Sequence, residues 1–299
     1  MVRQIPLDPA GRADGPVRGE DHSGGMHEIA PDLAWRRLAI VNVVFFGRTG
    51  AGDREWVLID AGVIGATRLI AAAAQERFGP DARPAAILMT HGHFDHVGGL
   101  EELADRWEAP VYAHDLEHPY LNGTAAYPPP DPSVGGGLMS LLSPLYPRGP
   151  VDVGRRLRSL PADGQVPHMP GWRWLHTPGH TPGHVSFWRE SDRTLIAGDA
   201  FITTRQESAY AVAVQTPEMH GPPMYYTTDW AAARRSVETL AALEPDRAIT
   251  GHGPAMEGSD MRRALHELAR DFQRVAVPEQ GRYVERPAAQ QEGGEYRDP

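Results

Sequence analysis

Apolar residues fall into short runs separated by stretches rich in glycine, proline and charge, the rhythm of a chain in which strands and helices alternate. Leu38 to Phe46 and Glu55 to Asp60 read as two strands around a turn holding Gly50, Gly52 and Asp53. Between Ala66 and Phe78, Leu69, Ile70, Ala73, Ala74 and Phe78 recur at helical spacing, and Gly79-Pro80 stops the helix. Ala85 to Met89 predicts a buried strand, Gly98 to Trp107 a helix, and Pro110 to Ala113 a short strand. The theme repeats with strands over Trp172 to Leu175, Val185 to Trp188 and Thr194 to Ala197, a helix over Asp229 to Leu243, and a last strand over Arg247 to Thr250. Asp229 can cap the helix it precedes. Ser259-Asp260 can cap another that starts at Met261 and ends near Arg274, whose Leu265, Leu268, Ala269 and Phe272 form one stripe.

Two segments break the rhythm. Tyr127 to Pro132, followed by Gly135-Gly136-Gly137, is too constrained for regular structure and leads into the apolar stretch Leu138 to Tyr146. Within an insertion spanning 116–160 it reads either as a lid or as a solvent loop followed by a short surface helix. The second segment, Thr203 to Thr228, carries His220 and Met224-Tyr225-Tyr226. Both ends are polar: 1–26 lacks the apolar core of a signal peptide and reads as disordered, and 279–299 reads as a polar tail. That leaves a single domain over 27–278.

Composition narrows the function classes. The chain has 299 residues, 41% of them hydrophobic, and no run approaches the roughly eighteen apolar residues of a membrane span. A net charge of −10 disfavours nucleic-acid binding, and Arg155-Arg156-Leu157-Arg158 reads as a solvated face. With no cysteine there is no disulfide, thiolate ligand or cysteine nucleophile, which is compatible with the cytoplasm. The expected partner is a small-molecule substrate, with neither nucleic acid nor membrane, and the oligomeric state stays open.

The chemistry concentrates in Thr90-His91-Gly92-His93-Phe94-Asp95-His96, directly after a predicted strand. A single one of the 14 histidines defaults to the surface or to a satisfied half-buried position, whereas three packed so closely with a carboxylate form a metal-binding pattern. His180, Asp199 and His252 each follow another predicted strand. Imidazole and carboxylate without thiolate suit zinc first, and iron or manganese as well, and such a cation makes bound water reactive near neutral pH.

These residues resemble the metallo-β-lactamase-fold hydrolases, whose signature is H-x-H-x-D-H followed in order by a His, a bridging Asp and a last His. The resemblance runs from about Ile40 to Met256. It implies an α/β fold of four αββα layers and a centre of two divalent metal ions. Carried over position by position, His91, His93 and His180 would hold one ion, Asp95, His96 and His252 the other, and Asp199 would bridge them. The implied reaction is attack by a shared hydroxide on the carbonyl of an ester, lactone or thioester, in the manner of glyoxalase II and the lactonases. Asp95 would also pass a proton to the leaving group. Asp199 disfavours β-lactam hydrolysis, because the antibiotic-hydrolysing members typically lack that bridge. Lactonases of the fold carry a Tyr just after the bridging Asp, where this chain has Ala200-Phe201, so Tyr225 or Tyr226 would have to supply a phenol. With His220 these are the candidate substrate contacts, and Trp172, Trp174, Met219 and Met224 are candidate walls. His176 and His184 would orient ligands or pack. The alternatives are a phosphodiesterase or nuclease of the same fold, a mononuclear-iron persulfide dioxygenase, and a non-enzymatic scaffold.

Overall fold

The computed structural model describes residues 4–13, 25–290 and 296–297. A first sheet of seven strands runs in the order Met26–Ala30, Leu33–Leu38, Val41–Phe46, Val57–Ile59, Ala86–Leu88, Val111–Ala113 and Leu157–Ser159. Its pairs are antiparallel as far as Val57–Ile59 and parallel beyond it. A second sheet of five orders Met256–Glu257, Arg247–Thr250, Thr194–Gly198, Val185–Arg189 and Trp172–His176.

Alternation along the strands explains how both sheets are covered on two faces. Val44, Phe46, Val57, Ile59 and Leu88 meet Trp172, Val185, Phe187, Ile196 and Ile249 in one cluster between the sheets. Their neighbours Val43, Phe45, Leu58 and Ile87 pack instead against the helices Thr67–Phe78 and Leu100–Trp107. Trp188, Leu195 and Ala248 pack against Trp230–Ala242 and Gly258–Arg270. Strands buried on both faces read as unbroken apolar runs. The result is the αββα sandwich.

Four local readings change. Leu38 to Phe46 is the end of one strand and the whole of the next, because the chain reverses at Ala39, whose φ is 58°. The strand before that reversal, Leu33–Leu38, was hidden by its two arginines. Gly258–Arg270 starts earlier than expected and has no side-chain cap, Asp260 accepting instead from the Asp8 amide at 2.8 Å. Trp172 and Trp174 belong to the intersheet cluster rather than to a substrate wall.

The expected disorder of 1–26 does not hold for residues 4–13: Ile5–Pro6 pairs with Glu218–Met219, and Ile5 and Leu7 are buried. Residues 1–3, 14–24, 291–295 and 298–299 lie outside the described set. Part of the expected tail is also packed, since buried Tyr283 donates its hydroxyl to Pro129 O at 2.7 Å. In the insertion, Tyr127, Pro128, Pro130 and Asp131 are buried, so this stretch is not a solvent loop. The following helix, Leu138–Leu142, does present Leu138, Leu141 and Leu142 to solvent. No helix among the described residues is long and apolar enough to cross a membrane.

Candidate metal centre

All seven residues that the sequence singles out as ligands converge and are buried, none more than 5% exposed. Donor atoms of His91, His93 and His180 lie within 4.8 Å of one another, as do those of Asp95, His96 and His252, and those of His91, His96 and Asp199. Asp199 Oδ2 stands between the sets, 3.5 Å from His180 Nε2 and 3.1 Å from His252 Nε2. His93 Nδ1 is 2.9 Å from His180 Nε2, and His252 Nε2 is 3.5 Å from Asp95 Oδ2.

Hydrogen-bond bookkeeping fixes which nitrogen faces inward. The Thr90 hydroxyl donates to Asp60 Oδ2 at 2.7 Å, so it must accept from His91 Nδ1–H at 3.0 Å. The Thr227 hydroxyl likewise donates to Pro223 O and accepts from His180 Nδ1–H. His96 Nδ1–H donates to Asp60 and His252 Nδ1–H to Ile40 O. In the neutral form of each ring this leaves Nε2 as the nitrogen with the lone pair, the atom a metal would take.

Three inward atoms, His91 Nε2, His96 Nε2 and Asp199 Oδ1, are buried without a hydrogen-bond partner. Each such orphan costs about 1–3 kcal/mol unless something binds it. Gly251 maintains this space, because a Cβ there would lie 1.9 Å from Asp199 Oδ1 and 2.9 Å from His96 Cε1. The donor set fits divalent cations of the zinc, iron and manganese kind.

Electrostatics divides the rings. Burial, with neighbouring imidazoles, pushes His91 and His93 well below the ordinary histidine pKa and His180 to about 3. Burial opposes charge on His96 too, but Asp60 and Asp199 outweigh it and raise its pKa. His252 follows the same pattern through Asp199 and Asp95. Burial raises the Asp95 pKa against the pull of His96 and His252. Asp199 stays ionised because His252 and His96 overcome its burial.

The framework comes from residues of no local prominence. Asp60 takes Thr90 N–H, the Thr90 hydroxyl and His96 together. The Asn42 amide nitrogen donates to Thr250 O and Gly253 O, clamping the His252 turn. His184 is no ligand: its Nε2 accepts from Asp199 N–H at 2.9 Å while its Nδ1 meets Thr177 Oγ1 at 2.8 Å. His176 is exposed and stacks on half-buried His114 with ring centroids 4.3 Å apart.

Tyr226 lies over His93 with ring centroids 4.6 Å apart, and its buried hydroxyl has no hydrogen-bond partner. Tyr225 packs near Tyr146, which stacks on Phe94. His220 makes other contacts, its Nε2 to Glu218 at 2.9 Å and its backbone to Ile202, so the structure does not bring it to the seven. Met219 and Met224 sit in the core cluster beside the second sheet.

Residues 36–252 match the family described as the metallo-beta-lactamase superfamily. The probable metallo-hydrolase YflN of Bacillus subtilis (strain 168) is 44% identical over 247 residues, covering 83% of this chain and 93% of that protein. A hydroxyacylglutathione hydrolase of Xanthomonas euvesicatoria pv. vesicatoria (strain 85-10) is 30% identical over 158 residues, 51% of this chain and 44% of the relative. A solved B3 metallo-beta-lactamase with an active-site glutamic acid shares the fold at 22% identity and a TM-score of 0.56, covering 92% of this chain and 96% of its own. With the sandwich, the converging ligand set and this match, the chain belongs to the metallo-beta-lactamase superfamily.

Proposed function

We propose that the chain is a metal-dependent hydrolase of carbonyl esters, lactones or thioesters. The observation that carries this reading is the set of inward-facing, unpartnered Nε2 and carboxylate atoms shared by two overlapping ligand groups. His91, His93 and His180 would hold one cation and Asp95, His96 and His252 the other, with Asp199 common to both. Two such ions, zinc first and iron or manganese as alternatives, would supply an activated water and polarise the substrate carbonyl.

The chain's own groups divide the remaining tasks. Burial, with the charge of Asp95, raises the pKa of Tyr226, so its hydroxyl remains protonated and serves as a hydrogen-bond donor rather than a base. It is the candidate donor to oxygen charge developing next to His93. Asp95, held among His96, His252 and Asp199, is the candidate to carry a proton to the leaving group. Phe94 and Tyr146 offer apolar surface for the acyl or alcohol portion. The relative named hydroxyacylglutathione hydrolase supports acyl chemistry over phosphoryl chemistry.

The test is a panel of thioester, lactone, aryl ester, phosphodiester and β-lactam substrates, assayed with protein loaded separately with zinc, manganese and iron. Turnover of a carbonyl ester is expected, and His93→Ala should lose at least one metal equivalent and nearly all of that turnover. Phosphodiester turnover alone, or undiminished activity in His93→Ala, would overturn the proposal.

A further inference from the structure

Glu117 ends the single turn Asp115–Glu117 in the insertion and is completely buried. Its two oxygens serve different parts of the metal centre. Oε2 accepts from Gly92 N–H at 3.0 Å, between His91 and His93, and from the Tyr127 hydroxyl. Oε1 accepts from the Thr181 hydroxyl at 2.7 Å and from Gly183 N–H at 2.8 Å, directly after His180. All four partners are neutral donors, so the carboxylate acts purely as an acceptor.

The surroundings are shaped to this side chain. A Cβ on Gly183 would come within 2.8 Å of Glu117 Cγ, and a Cβ on Gly92 within 2.8 Å of the Tyr127 hydroxyl. Tyr127 also places its ring 4.4 Å from that of His93. The loops joined in this way come from different sheets, His91 and His93 following Ala86–Leu88 and His180 following Trp172–His176.

We propose that Glu117 is a positioning residue for the three-histidine set of His91, His93 and His180, an inference that rests on reading those residues as metal ligands. One carboxylate fixes the separation of the two loops that supply the set. Affinity for the ion held there depends on it, and affinity at the Asp95, His96 and His252 set does not.

Glu117→Gln tests this. Its NH2 group must face donors on one of the two loops, so that loop loses its acceptor while size and shape are kept. Cobalt(II) is titrated into metal-free wild type, Glu117→Gln, Thr181→Val and His93→Ala, with heat and the visible spectrum recorded. In Glu117→Gln, affinity should fall about 10- to 100-fold at one of two sites, and the weakened band should be the one His93→Ala lacks. Thr181→Val, which removes one of the four donors, should weaken the same site by a smaller factor and decides the matter if Glu117→Gln does not fold. Equal affinity at both sites in the variants, or equal weakening of both sites, overturns the inference. Wild type that takes up two equivalents while the variants match it refutes the role of Glu117 alone. Wild type that takes up no metal overturns the hydrolase reading as well.

Discussion

Tyr226 carries a buried phenol hydroxyl that no protein group receives, at a cost of about 1–3 kcal/mol unless solvent or a bound guest pairs with it. Replacing it with Phe removes the donor and keeps the ring over His93. The expected outcome is a fall of about 10²-fold in kcat on the best ester of the panel, with metal stoichiometry unchanged. Equal kcat in Tyr226→Phe would remove it from the chemistry. The seven ligand candidates were legible in the sequence because each is a polar side chain placed where an apolar run stops. Asp60 carried a weaker form of the same signal, a carboxylate at the end of a predicted strand. Asn42, Glu117 and Thr227 carried none: a lone amide inside a strand, an acid among polar neighbours and a threonine in a loop acquire meaning only when distant segments close around them. His220, grouped with Tyr225 and Tyr226 by nearness in sequence, pairs with Glu218, a contact the sequence did not signal either.

Among the elements, Trp230–Ala242 shows most directly how a local signal becomes a site feature. Asp229 caps it, accepting from Ala232 N–H at 2.8 Å, while the Thr228 and Asp229 amides both donate to Gly179 O beside His180. Gly179 is required there: its φ is 134° and a Cβ would meet Ala233 N at 2.2 Å. Asp229→Ala should cost about 1 kcal/mol in urea unfolding while two metal equivalents are still bound, since backbone contacts hold the helix against the loop. Loss of metal in that variant would show that the cap itself sets the loop. This helix and Thr67–Phe78 were readable from spacing and their end signals. The Leu33–Leu38 strand was not, because Arg36 and Arg37 interrupt the apolar pattern that pairing with Val41–Phe46 makes irrelevant. Packing by distant residues likewise decided the insertion. Its prolines and glycines announced irregular backbone, but Asp131 N–H donating to Tyr225 O and Tyr283 reaching Pro129 are contacts between remote parts of the chain.

At the scale of the molecule, each proposed ion draws ligands from loops of both sheets, so metal binding and association of the two halves are linked. A metal-free protein should therefore unfold at a lower temperature. At free metal a hundred times Kd, one site adds about 2.7 kcal/mol. A calorimetric scan before and after exhaustive chelation should show the midpoint falling by several degrees and returning on readdition of zinc; an unchanged midpoint would mean that the centre gives the fold no support. The four-layer architecture was legible through the resemblance carried by the ligand motif. The apolar runs supplied the strands but not the order in which the sheets place them. The spread of the ligands along the chain has a further consequence, for timing. During synthesis His91, His93, Asp95 and His96 emerge early, His180 follows far behind, and His252 arrives only after the strand Arg247–Thr250. A growing chain thus passes through a stage at which the candidate set His91, His93 and His180 has been synthesised while the other set still lacks His252. On the two-ion proposal, loading of the pair would be completed only after His252 has been made.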